Sequence, residues 1–208
     1  MKLLSILLKG GWIMLPIFLS SIIAIGVIID RYIVIRKAKK NIPNFLVKIR
    51  TILKKGDIDG AINYCVEEKS SAANIIRQGL KKHKLGHARV KEAIENAGRQ
   101  EVKKLEKGLS VLATISGVAP LLGFLGTVTG MIGAFMRIED LQGAANPSDL
   151  AGGIWEALLT TAFGLAVGII AFMFYNYLVS AINRLVLDME IVSNDVIDIL
   201  EEKTLEWE

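Results

Sequence analysis

The sequence predicts an all-α integral membrane protein with three transmembrane helices, the second and third extending into a helical cytoplasmic domain. Composition is the first reason: of 208 residues, 52% are hydrophobic but only 7% aromatic, and mean hydropathy is +0.44. That is richer in aliphatics than a soluble domain of this size. Charge-free runs are the second. Gly10 to Ile29, Leu109 to Met136 and Ala157 to Asn183 carry no Asp, Glu, His, Lys or Arg, and each reaches the ~20 residues that cross a bilayer core of about 30 Å. The third is that apolar residues at helical spacing continue beyond the membrane-length runs.

Residues 1–9, MKLLSILLK, group four leucines between Lys2 and Lys9, which suits a short helix in the outer interface or an extension of the first span. The first span covers 10–30 and is expected to remain in the protein: no A-x-A-like site follows it, and Arg31, Arg36, Lys37, Lys39 and Lys40 form a stop-transfer flank. Within it, Pro16 removes a hydrogen-bond donor and predicts a kink.

Residues 31–108 hold 20 Lys and Arg against 8 Asp and Glu, whereas 138–151 hold three acids and no base. The positive-inside rule puts the larger segment in the cytoplasm, with the N-terminus and the 138–151 loop outside. The large segment reads as helices. A Gly-Asp start signal opens the run after Lys55, a serine start opens SSAANIIRQGL, and one face through Ile94, Gly98, Val102, Leu105, Leu109 and Leu112 runs on toward the second span, 109–137. The third span, 152–179, leads into a C-terminal helix, 180–208, whose apolar face is Ile182, Leu185, Met189, Val192, Val196 and Ile199. From residue 184 onward eight acids face only Arg184 and Lys203, so this acidic helix can attract the basic helix before the second span, through pairs that are individually weak.

A single cysteine, Cys65, excludes an internal disulfide or a thiolate metal cluster, and a reduced, packed thiol is expected. His83 and His87 have helical i, i+4 spacing, but a basic, Gly-containing turn separates them, so a solvated connection is expected rather than a metal site. There is no H-E-x-x-H, no G-x-S-x-G and no carboxylate pair inside the spans, so no enzyme, metal or cofactor is expected, nor any nucleic-acid partner.

The candidate site lies in the second and third spans. Ala119, Gly123, Thr127, Gly130 and Ala134 recur at spacings of 4, 4, 3 and 4, and Ala157, Thr161, Gly164 and Gly168 at 4, 3 and 4. Each helix thus carries a stripe of small residues with one threonine in it, and Thr160 falls one step off that face. Such stripes serve ordinary helix packing, with the threonine bonded to its own backbone, equally well. Pro120 frees the carbonyl of Ser116 and opens or bends the second span. Glu156 lies five residues outward of Thr161, about 7.5 Å along a helix, where an acid is either a functional group or merely solvated at the membrane edge. A chain that passed protons by itself would need an acid or histidine at mid-depth. None is present, so that group must come from a partner, or the chain moves no protons.

APLLGFLGTVTGM at 119–131 and EALLTTAFGLAVGIIAFMFYN at 156–176 resemble the signature of the MotA/TolQ/ExbB proton-channel family. The basic segment after IDRYIVIRKAKK and the three-span, N-out plan are similar to its ExbB and TolQ branch, the ExbB-like side being favoured; MotA members are usually longer, with four spans. The resemblance implies a homopentamer in the bacterial inner membrane whose second and third helices line a pore. That pore would hold the single helices of two ExbD- or TolR-like partners, each with an essential aspartate, and proton motive force would be passed as mechanical work to a TonB- or TolA-like protein. By the same resemblance Thr127 is the pore threonine of G-T-V-x-G, Thr161 that of T-A-x-G-L, and Glu156 the acid of E-A-L. Thr129 and Thr160 stand where relatives commonly have tryptophan and alanine, which makes this wall more polar. A TolQ-like envelope role, or a passive adaptor held together by the small stripes, stays open on these residues.

Overall fold

The computed structural model describes residues 10–39, 42–68, 70–142 and 146–205; the interfacial helix expected over 1–9 lies outside them. Those residues form seven α-helices and one 3-10 turn, with no strand: α1 (Met14–Ala38), α2 (Ile42–Lys54), α3 (Ile58–Glu68), α4 (Ser71–Leu80), the 3-10 turn His83–Leu85, α5 (His87–Glu106), α6 (Leu109–Asp140) and α7 (Pro147–Leu205). Three of the helical stretches are long and apolar enough to cross a membrane. The chain divides into two compact units, one from Met1–Asp30 with Gly108–Tyr177 and one from Arg31–Lys107 with Leu178–Glu208.

The first unit contains the apolar lengths of α1, α6 and α7. Ile22, Ile25, Phe124, Phe135, Leu158, Ile169 and Met173 are each at least half exposed, a surface suited to lipid or to other helices and costly in water. Pro16, expected to kink the first span, is the third residue of α1. Its nitrogen has no intrahelical acceptor at that position, so the proline starts the helix without costing it a bond. Ahead of it, Met14 N–H donates to Gly11 O (3.2 Å) in a turn where Gly11 has φ +66°. At the start of α6, Gly108 is left-handed (φ +83°), and a Cβ there would lie 3.4 Å from Val27.

The second unit is a conventional helical core. Phe45, Ile49 and Leu53 of α2 are buried together with Ala61, Cys65, Ile75, Ile76, Leu80, Ile94 and Leu105, and Phe45 stacks on Tyr64 at 5.7 Å between centroids. Both helix-start signals work as read. Asp57 Oδ1 accepts from Gly60 N–H (2.8 Å) at the head of α3, and Ser70 Oγ accepts from Ala73 N–H (3.2 Å) at the head of α4. All six residues of the C-terminal apolar face, Ile182 to Ile199, are buried.

The face expected to run unbroken from Ile94 to Leu112 is interrupted at Lys107 and Gly108. α5 ends at Glu106, and Arg31 Nη1 donates to Lys104 O (2.7 Å), one of its last carbonyls. On α5 the buried positions are Val90, Ile94, Glu101 and Leu105, so Glu101 occupies the face assigned to Val102. Its Oε1 accepts from Asn74 Nδ2 and Lys104 Nζ, both at 2.7 Å. Burial pushes this carboxyl up, but the hydrogen bonds from Lys104 and Asn74 and the Lys104 charge outweigh it, and Glu101 ends below its ordinary range. The acidic C-terminal helix meets two helices of this unit: Asp195 pairs with Arg50 of α2, and Glu201 lies 3.8 Å from His87 at the head of α5, the helix before the second span. Burial pushes the Cys65 thiol up to about 12, in keeping with a packed, unreactive cysteine. His83 sits in the 3-10 turn with Nδ1 2.8 Å from Leu80 O, and His87 opens α5 beyond Gly86 at φ +88°, so the two do not share a helix.

Candidate functional site

Small residues let α6 and α7 approach backbone to backbone within the first unit. A Cβ on Gly164 would lie 2.6 Å from Ala119 O and 2.8 Å from Gly123 Cα, and one on Gly123 would lie 3.0 Å from Thr160 O and 3.2 Å from Gly164 Cα. Further along, a Cβ on Gly130 would meet Ala157 Cβ at 2.9 Å, and one on Gly153 would meet Ala134 Cβ at 3.0 Å. These neighbours are main chain or Cβ atoms, which cannot swing aside as a long side chain does. At the other end, the Pro120 ring lies where a Gly168 side chain would be, with Ser116 O 3.2 Å from the same point. The carbonyl deprived of its partner by Pro120 therefore faces a bare glycine.

The contact line differs by one residue from the expected stripe on each helix. Its buried members on α6 are Ala119, Gly123, Gly126, Gly130 and Ala134, and on α7 Ala157, Thr160, Gly164 and Gly168. Thr160, expected one step off the face, is 1% exposed and lies against Gly126, where a Cβ would overlap it. Its hydroxyl bonds back to Glu156 O (3.0 Å) and Ala157 O (2.9 Å), so this threonine is a packing residue. Gly126, Gly153 and Thr160 are the members that spacing alone missed.

Thr127 and Thr161 flank the buried line and are half-buried. Thr161 Oγ1 donates across the helix pair to Gly123 O at 2.7 Å, Thr127 Oγ1 donates to Phe124 O at 2.6 Å, and the two hydroxyl oxygens are 3.3 Å apart. Each hydroxyl has one proton and two acceptor sites. With both protons given to carbonyls, the oxygens present lone pairs; if the Thr161 hydroxyl rotates toward Thr127 Oγ1, Gly123 O is released. The pair thus has two hydrogen-bonding states that differ by a hydroxyl rotation. Thr129 bonds to Leu125 O (3.1 Å) and Gly126 O (3.2 Å) of its own helix.

Glu156 is half-buried near the N-terminal end of α7, with Oε1 against the bare Cα of Gly11 in the turn before α1. Between Ala157 and Asn183, and between Leu109 and Met136, the chain has no Asp, Glu, His, Lys or Arg. What the helix pair can do chemically is offer oriented hydroxyls and carbonyls to a group that titrates; it does not supply such a group at mid-span.

The sequence profile of the MotA/TolQ/ExbB proton channel family matches residues 67–191, which contain all of α6 and α7 as far as Ile191. The chain is 30% identical over 194 residues to a putative biopolymer transport protein ExbB-like 1 of Synechocystis, covering 86% of this chain and 71% of that protein. It is 31% identical over 150 residues to a putative ExbB homolog of Methanothermobacter thermautotrophicus, covering 72% of this chain and 53% of the other. To the biopolymer transport protein ExbB of Xanthomonas campestris it is 35% identical over 109 residues, 52% of this chain and 43% of that one. The chain therefore spans about half the length of two of these three relatives.

Proposed function

The chain belongs to the MotA/TolQ/ExbB proton channel family, and from that premise we propose that it is an ExbB-like proton-channel subunit of a bacterial inner membrane. In this reading the basic segment 31–108 is cytoplasmic, the N-terminus and the 138–151 loop face the periplasm, and the C-terminus is cytoplasmic, as the charge asymmetry favours. Five copies surround a pore walled by α6 and α7, with α1 outside. Two single-span, ExbD-like partners inside the pore supply the aspartate that this chain lacks.

The observation that carries the reading is the Thr127–Thr161 hydroxyl pair, bridging two helices inside stretches free of carboxylates, histidines and cations. A proton moving with the membrane potential releases about 2.3 kcal/mol per 100 mV. Protonating a partner aspartate changes what it asks of the wall: a carboxylate accepts from hydroxyls, whereas a carboxylic acid also donates to hydroxyl oxygens or carbonyls. Hydroxyls that exchange partners by rotation accommodate both forms. The two forms then favour different positions of the partner helices, and their displacement is passed to a TonB-like protein that energises outer-membrane transport. The ExbB names of the relatives favour this role over a TolQ-like one.

Thr161→Val keeps the side-chain shape and removes the hydroxyl. In proteoliposomes holding the chain and its partner at wild-type levels, we expect proton flux to fall about tenfold, the worth of one hydrogen bond of about 1.4 kcal/mol. Undiminished flux would remove the hydroxyl from the pathway.

A further inference from the structure

Glu156 is placed by a residue far away in the sequence. Its Oε1 rests against the Cα of Gly11 so closely that any Cβ there would overlap the carboxylate, with Glu156 Cγ 3.4 Å from the same point. Gly11 has φ +66°, a conformation that L side chains rarely adopt. The positive φ calls for glycine at this position, and the space that a side chain would need there is already held by the Glu156 carboxylate. The turn is itself anchored: Ile13, Met14 and Ile17, which follow it, are 2%, 2% and 1% exposed.

The neighbours fix the level of this contact. Trp12 and Trp155, adjacent in sequence to Gly11 and Glu156, are 70% and 55% exposed. An exposed tryptophan in the turn ahead of α1 and another on α7 suit the interfacial zone, where indole sits at headgroup level. The carboxylate thus lies at the rim of the bilayer, at the N-terminal end of α1, where the helix dipole favours an anion.

We propose that Gly11 is a positioning residue for Glu156: the bare turn ahead of α1 is the seat that holds the outer carboxylate of the proton path. This rests on the proton-channel reading above and takes Glu156, the acid of the E-A-L motif, as the outer entry to that proton path. It assigns to α1, the helix outside the α6–α7 pair, control over where that carboxylate stands. A larger residue at position 11 displaces the acid from its seat, and a shorter acid relieves the conflict.

The test uses the full chain with its single-span partner in proteoliposomes. Gly11→Ala is expected to lower proton flux about fivefold at unchanged assembly, a conflict of the size seen between residues in contact. It is also expected to shift the external pH at which flux is half-maximal. Glu156→Asp, one methylene shorter, should restore flux in the double variant beyond the product of the two single effects; Glu156→Gln, equal in bulk, should not. Additive Gly11→Ala and Glu156→Asp effects would assign the loss to backbone strain alone and overturn the proposal. A Gly11→Cys, Glu156→Cys pair should form a disulfide on mild oxidation, independently of whether the channel conducts. Failure of that bond in an assembled complex overturns the seat itself. A bond that forms while Glu156→Gln conducts normally overturns the proton-entry role of Glu156, and Gly11's positioning function with it.

Discussion

Gly164→Ala is the most informative single change to the helix pair. The added methyl would lie 2.6 Å from Ala119 O and 2.8 Å from Gly123 Cα, and neither can rotate away. Reaching ordinary contact at 3.4 Å requires α6 and α7 to part locally by as much as about 0.8 Å. The same movement stretches the Thr161 to Gly123 hydrogen bond from 2.7 Å to about 3.5 Å, the edge of a useful hydrogen bond. Overpacking costs about 1–3 kcal/mol, and losing an interhelical hydrogen bond in a membrane costs about 0.6–1.7 kcal/mol. We therefore expect a loss of about 2–4 kcal/mol, read as a lower midpoint in denaturing-detergent titration of the purified protein. Gly133→Ala is the control, because nothing lies within 4 Å of a Cβ there, and it should be neutral or stabilising by about 0.5–1 kcal/mol. If Gly164→Ala were no more destabilising than Gly133→Ala, the backbone-to-backbone approach of α6 and α7 would be wrong.

Pro120 and Gly168 should couple: Gly168→Ala strikes the proline ring, so Pro120→Ala should relieve it, and the double-mutant cycle should give about 0.5–3 kcal/mol of favourable coupling. Glu101→Ala leaves Asn74 and Lys104 without their shared acceptor and should cost about 1–3 kcal/mol in thermal or chemical unfolding. Because the folded-state pKa of Glu101 lies below its ordinary value, its contribution is complete above the unfolded pKa and is lost as pH falls through the folded one; Glu101→Gln should flatten that acid-side dependence. The Cys65 thiol, with its pKa near 12, should react with iodoacetamide at pH 8 about a thousandfold more slowly than a free thiol, and rapidly once unfolded. Fast labelling of the native protein would contradict its buried position.

Much of this architecture is visible in the residues, because long charge-free runs and a six-position apolar face leave few alternatives. The C-terminal helix is the clearest case: Ile182 to Ile199 keep one periodicity, and all six residues are buried. The candidate site was legible to within one residue. Along α6, Gly126 and Thr127 both fit helical spacing from Gly123, and along α7, Thr160 and Thr161 both fit spacing from Ala157. Neighbouring residues differ by about 100° on a helix, and which one points inward depends on the partner helix, not on local pattern. The break at Gly108 does carry a local signal. A glycine following Lys103, Lys104 and Lys107 is the ordinary end of a helix, but apolar periodicity on both sides masked it. Glu101 reads as a surface acid because its partners, Asn74 and Lys104, lie on two different helices. The Gly11–Glu156 contact spans most of the chain and leaves no local trace at either end.

In the proposed division of labour, this chain furnishes the hydroxyl wall and another protein furnishes the titrating group. Proton flux into potential-driven proteoliposomes tests it most directly, measured for the purified chain alone, with its single-span aspartate partner, and with that aspartate changed to asparagine. The account predicts flux only with the intact partner. Equal flux from the chain alone, or from the asparagine complex, would contradict it.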